Sequence, residues 1–119
     1  MLEKQKIVSF TDLICWQKAH RLVLAIYKLT KTFPKDEDFI LISQLKRAVI
    51  SISSNIAEGF GRQTYKDKVH FYYLSLGSLT EVENQVLIAK DLGYITADVE
   101  YENVVNLLTE THKLLNGLI

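Results

Sequence analysis

Apolar residues recur at three- and four-residue spacing through four stretches of the chain, and residues that stop helices bound each stretch. The most informative stretch covers residues 43–62. Leu41, Leu45, Val49, Ile52 and Ile56 form an apolar stripe through it. Gln44, Arg47, Ser51, Asn55, Glu58 and Arg62 recur at the same spacing on a second, polar face. Ser, Asn and Gly are poor helix formers, so helix propensity does not account for them. That face is expected to pack closely and to need hydrogen bonds.

The pattern predicts a first helix over about residues 12–32. Thr11 is its expected N-cap, with Asp12 opposing the helix dipole in the first turn. Trp16, Ala19, Val23, Ile26, Tyr27 and Thr30 share one arc, and Pro34 ends the helix. The second helix is predicted to start within Asp36, Glu37 and Asp38 and to run to about Glu58, with Gly59 and Gly61 as terminators. Thr64 caps the third, with Asp67 completing an approximate capping box; Gly93 follows its end near Leu92. Thr96 caps the fourth. Its stripe of Ala97, Tyr101, Val104, Leu108, Thr111, Leu115 and Leu118 has a nearly heptad rhythm.

Short connections make neighbouring helices antiparallel. The expected architecture is an all-α, up-down-up-down four-helix bundle: one domain over residues 10–119, preceded by a tail at residues 1–9. The apolar arcs exceed what one core needs. On the third helix Val69, Tyr72, Tyr73, Leu76 and Leu87 do not fit on the side expected to face the core, which carries Leu74, Ser78, Ile88 and Leu92. Leu22 and Leu29 widen the first stripe in the same way. Surplus apolar surface of this kind predicts a homo-oligomer.

At 119 residues the chain suits one core. A single proline and five glycines argue against an all-β fold. The one cysteine, Cys15, excludes an internal disulfide, and no stretch is long and apolar enough for a membrane span or signal peptide; a cytoplasmic location is expected. Net charge is zero but unevenly spread. Residues 1–70 carry 12 Lys and Arg against 7 Asp and Glu, whereas residues 71–119 carry 2 against 7. Ring contacts between a basic surface of helices one or two and an acidic surface of helices three or four are therefore expected.

No catalytic constellation is visible. Glu81 shares the predicted arc of Leu74, Ser78 and Ile88, so a partner is expected for it, with Arg47 and Arg62 as candidates. Gly77, in mid-helix, suggests a close backbone approach. The histidines are scattered and no Glu-x-x-His occurs, so neither a metal site nor a cofactor is expected. Cys15 reads as a small buried or interfacial residue. Lys46, Arg47, Arg62, Lys66 and Lys68, with Phe60, Tyr65 and Tyr72 among them, form a candidate contact for RNA or DNA; Glu58 and Asp67 dilute it.

The segments FTDLICWQKA at 10–19, Phe33-Pro34, QLKRA at 44–48, Ser51, SNIAEG at 54–59, Arg62, GSLTEVE at 77–83 and LGY at 92–94 resemble the four-helix bundle proteins encoded in intervening sequences of bacterial 23S rRNA genes. They are also similar to the accessory protein of diversity-generating retroelements. The resemblance spans nearly the whole chain. It implies a homopentameric ring or barrel, no known enzymatic activity and a loosely defined role with nucleic acid. The family's recurrent polar positions fall here on Arg47, Asn55, Glu58, Arg62 and Glu81, and the resemblance implies that they form a structural polar network. The retroelement accessory proteins are basic, and this chain is neutral.

Two functional readings follow. One is a ring-forming, non-enzymatic scaffold that associates with nucleic acid through the basic residues. The alternative is a protein-protein interaction module without nucleic-acid binding, which engages a protein partner through surplus apolar surface. An enzyme would need a pocket with paired titratable groups, which the sequence does not show.

Overall fold

The computed structural model describes residues 6–119, and residues 1–5 of the expected tail lie outside the described residues. Four α-helices carry the fold: α1 (Ile14–Leu29), α2 (Leu41–Phe60), α3 (Tyr65–Asp91) and α4 (Asp98–Leu118). Short 3-10 turns at Phe10–Asp12, Thr30–Thr32 and Lys35–Glu37 complete it. The predicted all-α class is therefore observed. Polar pairs give the helix directions. Gln44 meets Gln85 and Ser51 meets Ser78, so α2 and α3 run antiparallel. Lys18 meets Glu110 and Lys28 meets Glu100, so α1 and α4 do too.

Several helix ends differ from expectation. The N-terminal cap is Ser9, not Thr11: its hydroxyl accepts from the Thr11 N–H, and the Asp12 carboxylate accepts from the N–H groups of Val8 and Ser9. This closes a capping box around a 3-10 turn, and the extended backbone of Leu13 delays α1 to Ile14. The acidic run before α2 is likewise a 3-10 turn. Tertiary bonding explains it, because the Tyr94 hydroxyl donates to the Glu37 carboxylate at 2.9 Å and Phe33 packs on the Tyr94 ring. Glu37 closes that 3-10 turn with its N–H on the Pro34 carbonyl, and α2 starts only at Leu41.

Gly59 lies inside α2 rather than ending it; Gly61 takes the C-cap. Thr64 caps α3 as expected, accepting from the Asp67 N–H at 3.1 Å, and Gly93 follows α3 with φ +79°. Ala97 stands at the N-cap of α4 where Thr96 was expected. It offers no side-chain acceptor, and Asp98 and Glu100 face the helix dipole instead.

The core is built from Leu22, Ile26 and Leu29 of α1, Leu45, Val49, Ile52 and Ile56 of α2, Leu79, Val82 and Val86 of α3, and Val104, Leu108 and Leu115 of α4. Leu22 and Leu29 are thus central, not surplus. The expected inner face of α3 is wrong by roughly a third of a turn. Tyr72, Ser75, Leu79, Val82, Val86 and Ala89 point inward at alternating three- and four-residue steps. Leu74, Ile88 and Leu92 remain 46%, 42% and 55% exposed. Polar Ser75 wins a core position because its hydroxyl donates to the Ile52 carbonyl at 2.8 Å, satisfying both groups. Its small volume also lets α3 approach α2 closely.

Candidate interaction surface

The polar face of α2 runs along its seam with α3. Asn55 Nδ2 donates to the Ser51 carbonyl at 2.9 Å and to the Ser51 hydroxyl at 3.0 Å. Ser78 Oγ donates to Ser51 Oγ at 2.9 Å. Further along, Gln85 Nε2 lies 3.4 Å from Gln44 Oε1 and 3.5 Å from Glu81 Oε1. These bonds explain why poor helix formers occupy α2. The Ser51, Asn55 and Ser78 groups satisfy one another where close helix packing strips them of water, whereas the buried Gln85 Oε1 has no partner.

The structure brings the predicted network together only in parts. Asn55 belongs to the Ser51–Ser78 cluster. Glu58 and Arg62 form their own exposed pair at 3.4 Å, one helical turn apart, with Arg62 also 4.6 Å over the Phe71 ring. Glu81 is exposed, and the buried position expected for it is a consequence of the misplaced α3 arc. No ion pair joins Arg47 or Arg62 to Glu81 among the described residues. The antiparallel register nevertheless sets Arg47 level with Glu81, both facing solvent.

The basic residues do not form one patch on the single chain. Lys68 Nζ donates to the Phe60 carbonyl at 2.6 Å, closing off the C-terminus of α2, where a cation also suits the helix dipole. Lys46 lies 4.5 Å over the Tyr27 ring on the α1 side. Arg62 stands about 20 Å from Arg47 along the helix direction. Lys66 is exposed beside exposed Tyr65.

The remaining candidates are structural. Cys15 is buried, and burial pushes its thiol up to about 12. Burial raises Tyr72 as well, with the neighbouring Cys15 adding to it. Nothing lies within 4 Å of where a Cβ would sit on Gly77, so the close approach expected there is absent within the chain. Gly59 supplies it instead, against Tyr72. No group of three or more His, Cys, Asp or Glu able to hold a metal occurs among the described residues, and no described helix is long and apolar enough to cross a membrane.

Two features escaped the sequence reading. Gln85 is buried on α3, and the α3–α4 side of the bundle is open. A groove of about 220 Å³ there is lined by Glu83, Val86, Leu87, Tyr101, Val105, Leu108 and Thr109. Tyr72, Ser75, Leu79, Val82, Val86 and Ala89 keep a heptad spacing, but the apolar residues on the outer face and Ser75 and Gln85 on the inner one leave hydrophobicity without a phase along α3.

An all-α bundle with a hydrogen-bonded α2–α3 seam and much exposed apolar surface defines the class of protein. Residues 11–117 match the family described as 23S rRNA-intervening sequence protein, and the chain belongs to that family. It is similar to a crystal structure of a protein of unknown function from the S23 ribosomal protein family of Bacteroides thetaiotaomicron VPI-5482. That likeness has a TM-score of 0.81 at 27% identity, and covers 91% of this chain and 100% of the other. No curated protein matches the sequence.

Proposed function

We propose that the chain is one subunit of a homo-oligomeric ring, a pentamer as the family resemblance implies, that serves as a non-enzymatic scaffold in the cytoplasm. The observation that carries this reading is the apolar surface left outside the core. Leu24 and Tyr27 on α1, Ile50 on α2, Tyr73, Leu74, Leu87 and Ile88 on α3 and Val105 on α4 all face solvent in the single chain. Exposed apolar side chains on four successive helices amount to more than the scattered ones ordinary monomers show. Arg47 and Glu81, level and unpaired with each other, are placed to find partners on a neighbouring copy.

Association with RNA or DNA is part of the proposal, with Lys46, Arg47, Arg62 and Lys66 contributing. A ring repeats each small cluster around its axis, so several weak local contacts act together although the net charge stays zero. The test is the mass of the purified particle, with co-purifying nucleic acid assayed in the same sample. An assembled particle that binds RNA at low salt, and loses it steeply as salt rises, supports both parts. Assembly without binding, or binding indifferent to salt, removes nucleic acid and leaves the protein-interaction scaffold.

A further inference from the structure

α3 and α4 are the least closely packed of the neighbouring helix pairs, and a groove lies between them. Its apolar floor is Val86 and Leu108, both buried, and Val105 stands 37% exposed in it. Its borders carry two carboxylates, Glu83 in the groove and Glu102 beside Val105, and one cation, Lys90, whose Nζ lies 4.4 Å over the Tyr101 ring. Glu83 has a histidine neighbour, with His112 Nδ1 at 3.7 Å. Across the bundle, the free face of α1 presents the opposite character. Leu24 is 58% exposed and Tyr27 is partly so, and Arg21, Lys28 and Lys31 surround them. Arg21 and Lys31 form no ion pair among the described residues, and Lys28 is only loosely held by Glu100 at 3.7 Å.

We infer that Leu24 and Tyr27 of one copy seat in the α3–α4 groove of the next, with the basic residues of α1 against Glu83 and Glu102. The occupant is a second copy of this chain. Three observations carry the assignment. Shape is first: a ridge bearing two large apolar side chains meets an apolar groove, the helix-in-groove mode of recognition. Charge is second: the basic half of the chain supplies the ridge and the acidic half the groove. Height is third. The Lys18–Glu110 and Lys28–Glu100 contacts fix the α1–α4 register, which sets Leu24 level with Val104 and Val105, and Tyr27 level with Tyr101. A closed ring is generated by pure rotation, and rotation about an axis along the helices shifts nothing along that axis. Ridge and groove must then sit at one height on the subunit, and they do.

The inference rests on the ring reading above, and one experiment separates their failures. Light scattering is measured on the full chain, on Leu24→Glu, on Val105→Glu and on an equimolar mixture of the two variants. Both substitutions fall on exposed positions, and circular dichroism confirms that each variant stays helical. The wild type is expected at several times 13.7 kDa and each variant at 13.7 kDa. The mixture is expected at twice that mass, because only the intact ridge of one variant and the intact groove of the other can still join. A monomeric wild type overturns both readings. An assembled wild type with assembled variants overturns only the ridge-in-groove contact. So does a mixture that remains monomeric at a concentration where the wild type is assembled.

Discussion

Tyr72 packs against Gly59 so closely that a β-carbon on residue 59 would come within 2.6 Å of Tyr72 Cε1 and 3.1 Å of the Lys68 carbonyl. An alanine in mid-helix ordinarily gains about 1 kcal/mol over glycine. Here the sign reverses, since either the ring or the α3 backbone must move. Gly59→Ala is expected to destabilise the fold by about 1–3 kcal/mol, the usual cost of overpacking. Chemical denaturation of the two proteins measures it.

Gly77 is the control. It has open space around its missing side chain and sits inside α3. Gly77→Ala should stabilise the isolated subunit by about 0.5–1 kcal/mol. A loss of stability would mean that something outside the subunit packs on this face.

Thr111 is fully buried on α4, and its hydroxyl has no hydrogen-bond partner. Burying an unbonded hydroxyl costs free energy that an isosteric methyl does not. Thr111→Val is expected to raise stability by about 1 kcal/mol, read as a higher denaturation midpoint with an unchanged slope.

The Tyr94 hydroxyl holds Glu37, and that hydrogen bond, followed by burial and the nearby carboxylates, raises the Tyr94 pKa above its ordinary value. The neutral phenol is the form that the fold favours. Its contribution is therefore complete below the unfolded-state pKa near 10 and is lost as pH rises through the higher folded value. Tyr94→Phe should flatten the alkaline decline in melting temperature and leave the acid side unchanged. An identical alkaline decline in both proteins would contradict this.

Cys15 offers a kinetic check. Its thiol is buried and pushed up to about 12. At pH 8 the thiolate fraction is then smaller than that of a free cysteine by a factor on the order of 10³. Labelling by a thiol reagent should track unfolding rather than reagent concentration. Fast labelling of the folded chain would show that the site is open.

The class, the helix count and the seam of α2 were readable because Leu45, Val49, Ile52 and Ile56 keep one period next to an unusual polar one. The face of α3 was not. Tyr73, Leu74, Leu87 and Ile88 place apolar side chains outside, and Ser75 and Gln85 place polar ones inside, so hydrophobicity carries almost no phase there. Only hydrogen bonding to Ile52 and Gln44 on α2 explains the two polar residues, and such contacts are invisible in one helix alone. The helix starts failed for a related reason. Ser9, Asp12 and Glu37 bond to backbone and to Tyr94 in turns, where the local pattern suggested helix. Likewise, the basic residues adjoin in sequence order, yet Lys68 folds back onto α2 and Arg62 stands far from Arg47.

In the proposed assembly this chain covers its exposed apolar surface with copies of itself. Sedimentation equilibrium of the untagged chain over a dilution series measures whether it does. A single assembled species is expected near five times 13.7 kDa, dissociating on dilution without loss of helicity. A particle of 13.7 kDa at every concentration would rule the assembly out.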